Sequence, residues 1–227
     1  MTERSQNLTL PRGRWLFAAA PLLAATLVAP SADAAPGSAC ITILDGAFGS
    51  SVDTSIASDF PNKNLGTVPT GLSGGQNGVG TRQFLNRFDL SVLPPGVSLT
   101  SATFTVSHVS FGPSDIVRAH SITADWDELT VTYNSFGGAF SSTVEASAAT
   151  SIGPLPFDLT SLALRWASDA QQNRGVLLEQ SSAGRTNYRT REATSVATRP
   201  RLDVCFVNDT SICPAGLTIP GDVTLSD

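Results

Sequence analysis

Short runs that alternate between apolar and polar residues dominate the chain from residue 40 onward. In the clearest run, Ala102, Phe104, Val106 and His108 alternate with Ser101, Thr103, Thr105 and Ser107. A period of two places successive side chains on opposite faces, so this run predicts a strand with one apolar and one hydroxyl face. Similar runs cover residues 40–44, 83–90, 116–122, 129–133, 175–180 and 202–207.

Clusters of Gly, Pro and Asn separate these runs, as in Pro94-Pro95-Gly96 and Gly137-Gly138. Many short strands bounded by turn residues predict an all-β fold, here a jelly-roll-type antiparallel β-sandwich. One segment has a helical period instead. Its apolar positions are Leu159, Leu162, Ala163, Trp166 and Ala167. They predict one short capping helix over residues 160–168, with Asp158 accepting hydrogen bonds from its first free amides.

The first 34 residues have the order of a secretory signal peptide. Arg4, Arg12 and Arg14 precede an apolar run over residues 15–29, and Ala32-Asp33-Ala34 supplies small residues for cleavage. The run is shorter than the roughly 20 residues of a membrane-spanning helix, so we expect no membrane span. We therefore expect a signal peptide over 1–34, a sandwich domain over 35–207, a tail or linker over 208–227, and a secreted or cell-surface location.

Charge narrows the classes of partner. The chain has 14 basic and 19 acidic residues, and Lys63 is its one lysine. Phosphate binding requires a surplus of Lys and Arg, so a net charge of −5 argues against a nucleic-acid partner.

Three cysteines in an exported chain predict one disulfide. Cys40 and Cys205 lie on the polar faces of the first and last predicted strands, so a Cys40–Cys205 bond forms if those strands are neighbours. A Cys205–Cys213 bond is the alternative. A second alternative is that Cys40, which follows the small residues Gly37, Ser38 and Ala39, carries a lipid anchor.

The sequence Gly71-Leu72-Ser73-Gly74-Gly75 matches the G-x-S-x-G pattern of hydrolases. It opens a Gly-rich stretch, so we interpret it as a loop. His108 and His120 have no Cys or Asp at ligand spacing, and we expect structural roles for them.

Acidic residues provide two candidate sites. Asp125, Asp127 and Glu128 flank Trp126, which allows calcium binding or glycoside hydrolysis. The interpretation we adopt is a core tryptophan with acids that cap the next turn. Asp53, with backbone carbonyls, is a separate candidate for a structural calcium site. No other cofactor is expected.

The densest basic segment predicts a ligand site at Arg185, Tyr188, Arg189 and Arg191. Arginine pairs well with carboxylated or sulfated sugars, and a tyrosine ring can stack on a pyranose. Alternatively, Arg191 pairs with Glu192 and the other arginines are simply solvated.

Several motifs occur together in one order. They are Arg87-Phe88-Asp89-Leu90-Ser91, Leu93-Pro94-Pro95-Gly96, Ala124-Asp125-Trp126-Asp127-Glu128, Asp158-Leu159-Thr160-Ser161-Leu162 and Arg199-Pro200-Arg201-Leu202. Over residues 40–207 this set resembles the DNRLRE domain, which is classed as carbohydrate-binding module family 96. The resemblance implies a β-sandwich on secreted or surface proteins, and some members bind acidic polysaccharides such as alginate.

We therefore expect a secreted, non-catalytic carbohydrate-binding or surface-adhesion module whose partner is a polysaccharide or cell-surface glycan. A structural cell-envelope or matrix protein that acts through protein contacts is the alternative. A hydrolase is disfavoured because these motifs do not assemble a nucleophile, a base and an orienting group.

Overall fold

The computed structural model describes residues 38–76, 79–112, 115–181 and 183–208. The predicted signal peptide, residues 209–227 of the predicted tail and Cys213 lie outside the described residues. The strands are β1 Ser38–Leu44, β2 Ser51–Ala57, β3 Thr70–Gln76, β4 Val79–Phe88, β5 Val97–Phe111, β6 Ile116–Ile122, β7 Phe140–Ala149, β8 Gly153–Asp158, β9 Val176–Glu179, β10 Arg185–Arg189 and β11 Arg201–Asn208. The α-helices are α1 Tyr133–Phe136 and α2 Thr160–Ser168, and 3-10 turns cover Leu90–Val92, Ala170–Gln172 and Val196–Thr198.

The strands pair in the order β1-β11-β5-β10-β3-β4-β9-β6-β7, with β2 added beside β4 and β8 beside β5. All of these pairings are antiparallel, so the predicted all-β sandwich fold is confirmed.

Strand β4 separates two apolar cores. Phe84 and Phe88 point into the larger core, whereas Leu85 points into a smaller one with Ile56 and Trp126. Because alternate residues of β4 enter different cores, both of its faces are buried.

The two patterns with the clearest periods fold as predicted. The apolar positions of β5 from Ala102 to His108 are buried. Helix α2 covers the predicted residues, and Asp158 Oδ1 accepts from the Thr160 N–H at 3.0 Å. Leu162 and Trp166 bury the apolar face of this helix in the larger core.

The strand predicted over residues 129–133 is wrong. Asp127 Oδ1 accepts from the Leu129 N–H at 3.0 Å and holds a turn there. Thr132 Oγ1 then accepts from the Ser135 N–H at 3.1 Å and begins helix α1. Local capping hydrogen bonds therefore override the alternating pattern.

The loop predicted at Gly71-Leu72-Ser73-Gly74-Gly75 is also wrong, because this segment is strand β3. A Cβ atom added to Gly71 would lie 2.5 Å from the Phe84 ring, so close ring packing accounts for a glycine at this position. Ser73 is fully buried and pairs with Tyr188, which is unlike an exposed nucleophile.

The first and last strands are neighbours, and Cys40 lies directly opposite Cys205. Their sulfur atoms form a disulfide with an S–S distance of 2.04 Å, as predicted. This bond excludes the Cys205–Cys213 pairing and leaves no thiol on Cys40 for lipidation. Within the described part of the chain, every helix is too short or too polar to cross a membrane.

Candidate functional site

Tyr188, predicted to stack on a sugar ring, lies inside the protein. Its side chain is 0% exposed and its ring stacks on Phe84 with centroids 5.4 Å apart. Its hydroxyl shares a 2.7 Å hydrogen bond with Ser73 Oγ. The prediction is wrong because Tyr188 and Thr186 occupy the inner face of β10, where the sheet covers them.

Arg191 is engaged with acidic residues of its own chain. Its Nε lies 2.8 Å from Glu128 Oε1 and 3.1 Å from Glu192 Oε1, and its Nη1 donates to the Ser51 carbonyl at 3.2 Å. The alternative structural pairing of Arg191 with Glu192 is therefore the one observed. Its donors are used inside the fold, so Arg191 is a poor candidate for contact with a ligand.

Arg185 and Arg189 lie on the opposite face of β10 from Tyr188, together with Asn187. Arg189 is exposed and lies beside Thr70 of β3, whereas Arg185 is half-buried beside Gly112. Of the four predicted ligand residues, these two remain candidates for contact with an acidic glycan.

Asp53 is a buried residue of β2, 1% exposed. Its Oδ2 accepts from the Arg191 N–H at 2.7 Å, and its own N–H donates to Glu128 Oε1 at 2.9 Å. Burial raises the pKa of Asp53 well above its ordinary value, and the nearby carboxylates of Glu192 and Glu128 add to the shift.

The acidic residues around Trp126 have structural roles. Trp126 is 7% exposed, packs in the smaller core and donates from Nε1 to the Arg174 carbonyl at 2.8 Å. Asp127 caps the following turn. Asp125 Oδ1 lies 3.3 Å from Arg174 Nε. The core interpretation is confirmed for Trp126 and Asp127. Sequence reasoning missed that Glu128 turns inward to meet Asp53 and Arg191.

The two histidines are buried against backbone carbonyls, as expected for structural residues. His120 Nδ1 lies 2.9 Å from the Ser141 oxygen and 3.0 Å from the Thr143 oxygen. His108 contacts the carbonyls of Ser110 and Ser151.

The described surface has a cleft of about 590 Å³, which we call the motif cleft. It lies between the segment that follows β4 and the end of helix α2. Its polar lining consists of Ser50, Ser51, Arg87, Asp89, Ser91 and Asn173. Its apolar lining includes Leu93, Pro94, Pro95, Val97 and the edge of Trp166.

Local hydrogen bonds fix the walls of the motif cleft. Asp89 Oδ1 accepts from the Ser91 N–H at 2.9 Å and starts a 3-10 turn, so one wall is stiff. On the other side, Asn173 Nδ2 donates to the Phe88 carbonyl at 2.8 Å. The Arg87 guanidinium lies 5.3 Å from the centre of the Trp126 ring, so this side chain is held against Trp126.

Sequence reasoning used residues 87–91 and 93–96 to recognise a family but did not place a site there. Ser50 and Asn173 come from segments distant from these motifs in the chain. No sequence pattern signals that the three segments meet.

The architecture is an antiparallel β-sandwich with a cleft that loops and strand ends line. The model of carbohydrate-binding module family 96 matches residues 47–204. The chain belongs to carbohydrate-binding module family 96, which confirms the resemblance inferred from its motifs. The match includes all residues that line the motif cleft. No curated protein matches the chain significantly.

Proposed function

We propose that the protein is a secreted, non-catalytic module that binds a polysaccharide or cell-surface glycan in the motif cleft. The carrying observation is that the two motifs at residues 87–91 and 93–96, which carry the resemblance to the family, line this cleft. Its volume of about 590 Å³ falls in the range of roughly 300–1,000 Å³ found for small-ligand sites.

The lining suits a sugar chemically. A sugar hydroxyl both donates and accepts hydrogen bonds, and the exposed side chains of Asp89, Ser50 and Ser91 offer carboxylate acceptors and hydroxyl groups. The flat faces of Pro94 and Pro95 are exposed and can pack against the apolar C–H face of a pyranose ring. Polar groups then fix orientation while apolar contact contributes affinity.

The acidic lining supports binding without hydrolysis. Glycosidases use two carboxyl groups that flank the scissile bond. Among the described residues that line the motif cleft, Asp89 is the single carboxylate, and its Oδ1 already caps a turn.

Secretion is supported by two features of different origin. The Cys40–Cys205 disulfide is typical of an oxidising compartment. The predicted signal peptide over residues 1–34 would deliver the chain there.

A glycan array tests the proposed function. We expect selective binding of the chain to one class of polysaccharide and no release of reducing ends from that polysaccharide. Release of reducing ends would refute a non-catalytic role. An array without signal, together with self-association of the chain in solution, would instead favour the structural envelope or matrix protein.

A further inference from the structure

Strands β2 and β4 enclose a group of buried oxygen atoms that have no hydrogen-bond partner among the described residues. Asp53 lies directly opposite Asn86, and Ser51 precedes Asp53 by two positions. Residues opposite each other in a sheet, and residues two apart in a strand, share a face. The three side chains therefore point to the same side of the sheet, and we call them the β2–β4 oxygen cluster.

Each member of the β2–β4 oxygen cluster is almost fully buried. The exposed fractions are 4% for Ser51, 1% for Asp53 and 1% for Asn86. Ser51 Oγ, Asp53 Oδ1 and both polar atoms of the Asn86 amide lack a partner among the described residues. Leaving a buried polar atom unpaired is energetically costly, so three such side chains on one face indicate a missing partner.

The charges around Asp53 indicate the sign of that partner. Four carboxyl groups surround Arg191 or its neighbour Arg199: those of Asp45, Asp53, Glu128 and Glu192. With all four carboxyl groups ionised, as a bound cation would require, the two guanidinium groups balance two of the four negative charges. A divalent cation would balance the remaining two, and a second carboxylate oxygen, Glu192 Oε2, is also buried without a partner.

The donor types indicate which cation fits. The described residues contain no group of three or more His, Cys, Asp or Glu side chains placed to hold a metal ion. The cluster instead offers one carboxylate, one amide oxygen and one hydroxyl, all of them hard oxygen donors. Calcium accepts mixed oxygen ligands in flexible geometry, whereas magnesium demands a near-ideal octahedron.

We propose that Asp53, Asn86 and Ser51 bind one calcium ion between β2 and β4. Water and backbone oxygens complete the coordination. Ser51 also lines the motif cleft, so the ion lies behind one of its walls. The proposal is independent of glycan binding, because it rests on the buried oxygens and the charges around them.

The experiment is a calorimetric titration of calcium chloride into the chain after treatment with a chelator, without glycan. We expect one calcium ion per chain. Asp53→Asn should weaken binding at least about tenfold, since it removes the carboxylate charge. The carboxamide oxygen can still accept from the Arg191 N–H, so this variant keeps its fold, which circular dichroism verifies.

A gain-of-affinity variant sharpens the test. Asn86→Asp adds a carboxylate to the cluster and should tighten calcium binding about tenfold. The matched control Asn62→Asp changes an exposed asparagine and should leave the affinity unchanged. The proposal is overturned if neither the wild-type chain nor Asn86→Asp binds calcium, as expected for a cluster that holds only water. It is also overturned if Asp53→Asn binds as tightly as the wild-type chain.

Discussion

The backbone N–H of Arg191 donates to the buried carboxyl of Asp53 at 2.7 Å, across 138 positions of sequence. The Arg191 guanidinium also forms an ion pair with Glu128. Arg191 therefore links strand β2 to the segment that contains Glu128. This relationship explains why Arg191, although its side chain is 31% exposed, is engaged within the fold.

The Asp53 carboxyl gives stability an unusual dependence on pH. Because burial raises its pKa above the ordinary value of 3.8, the folded chain holds this proton more tightly than the unfolded chain. The contribution of Asp53 to the free energy of unfolding therefore falls as pH rises from about 4 through the raised pKa. We expect Asp53→Asn, which cannot ionise, to lose this fall when unfolding by urea is measured across pH in chelator.

Other carboxyl groups act in the opposite direction, so the comparison uses the difference between the two curves. The pKa of Asp59 is lowered by its hydrogen bond with Arg82, and its stabilisation is lost on acidification in both proteins. Curves that run parallel from pH 4 to neutrality would show that Asp53 is not protonated preferentially in the folded chain.

Tyr188 tests the assignment of an inward-facing residue. Tyr188→Phe keeps the stacking on Phe84 but removes the hydroxyl that pairs with Ser73. We expect a loss of about 1 kcal/mol in the free energy of unfolding and no change in glycan affinity. Urea unfolding and glycan titration check the two parts. A variant of unchanged stability with weakened glycan binding would restore Tyr188 as a ligand residue.

The disulfide closes almost the whole domain, since its cysteines are 165 residues apart. Replacing both Cys40 and Cys205 with serine should lower the free energy of unfolding by about 2–5 kcal/mol, because the unfolded chain gains freedom. The reduced wild-type chain is the matched control and should unfold with the double variant. Equal stability of the oxidised chain and the double variant would contradict this role.

The outer face of β10 tests binding of acidic groups. Arg189 is exposed and Arg185 is half-buried on the same outer face, so Arg185→Ala with Arg189→Ala should lower the melting temperature by no more than about 4 °C. Retention on acidic-glycan gels should fall. Unchanged retention would remove these two arginines from the binding surface and leave the motif cleft alone.

The sequence predicted correctly the elements in which apolar residues recur with a regular strand or helix period. In β5 the alternating apolar residues Ala102, Phe104 and Val106 are buried. In α2 the helical period buries Leu162, Ala163 and Trp166. It failed at residues 129–133, where Thr132 and Asp127 form caps, and at Ser73, where glycines allow a strand to lie against Phe84. Capping and close packing depend on partners that a local pattern does not contain.

The site was harder to predict than the fold for the same reason. The density of arginines predicted a ligand site on and after β10. In the structure, however, Tyr188 faces inward and Arg191 forms an ion pair with Glu128. The motif cleft brings Ser50, Asp89 and Asn173 together only after β2, β4 and α2 have packed. Asn86, opposite Asp53 in the sheet, carries no sequence signal at all.

The most direct measurement blocks the motif cleft with one side chain. Ala170 is exposed in a 3-10 turn that lines the cleft, and Ala197 is exposed in a comparable turn elsewhere. We expect calorimetric titration with the glycan found on the array to show at least about a tenfold loss of affinity for Ala170→Trp. Ala197→Trp should bind like the wild-type chain. Equal affinity of all three proteins would contradict binding in the motif cleft.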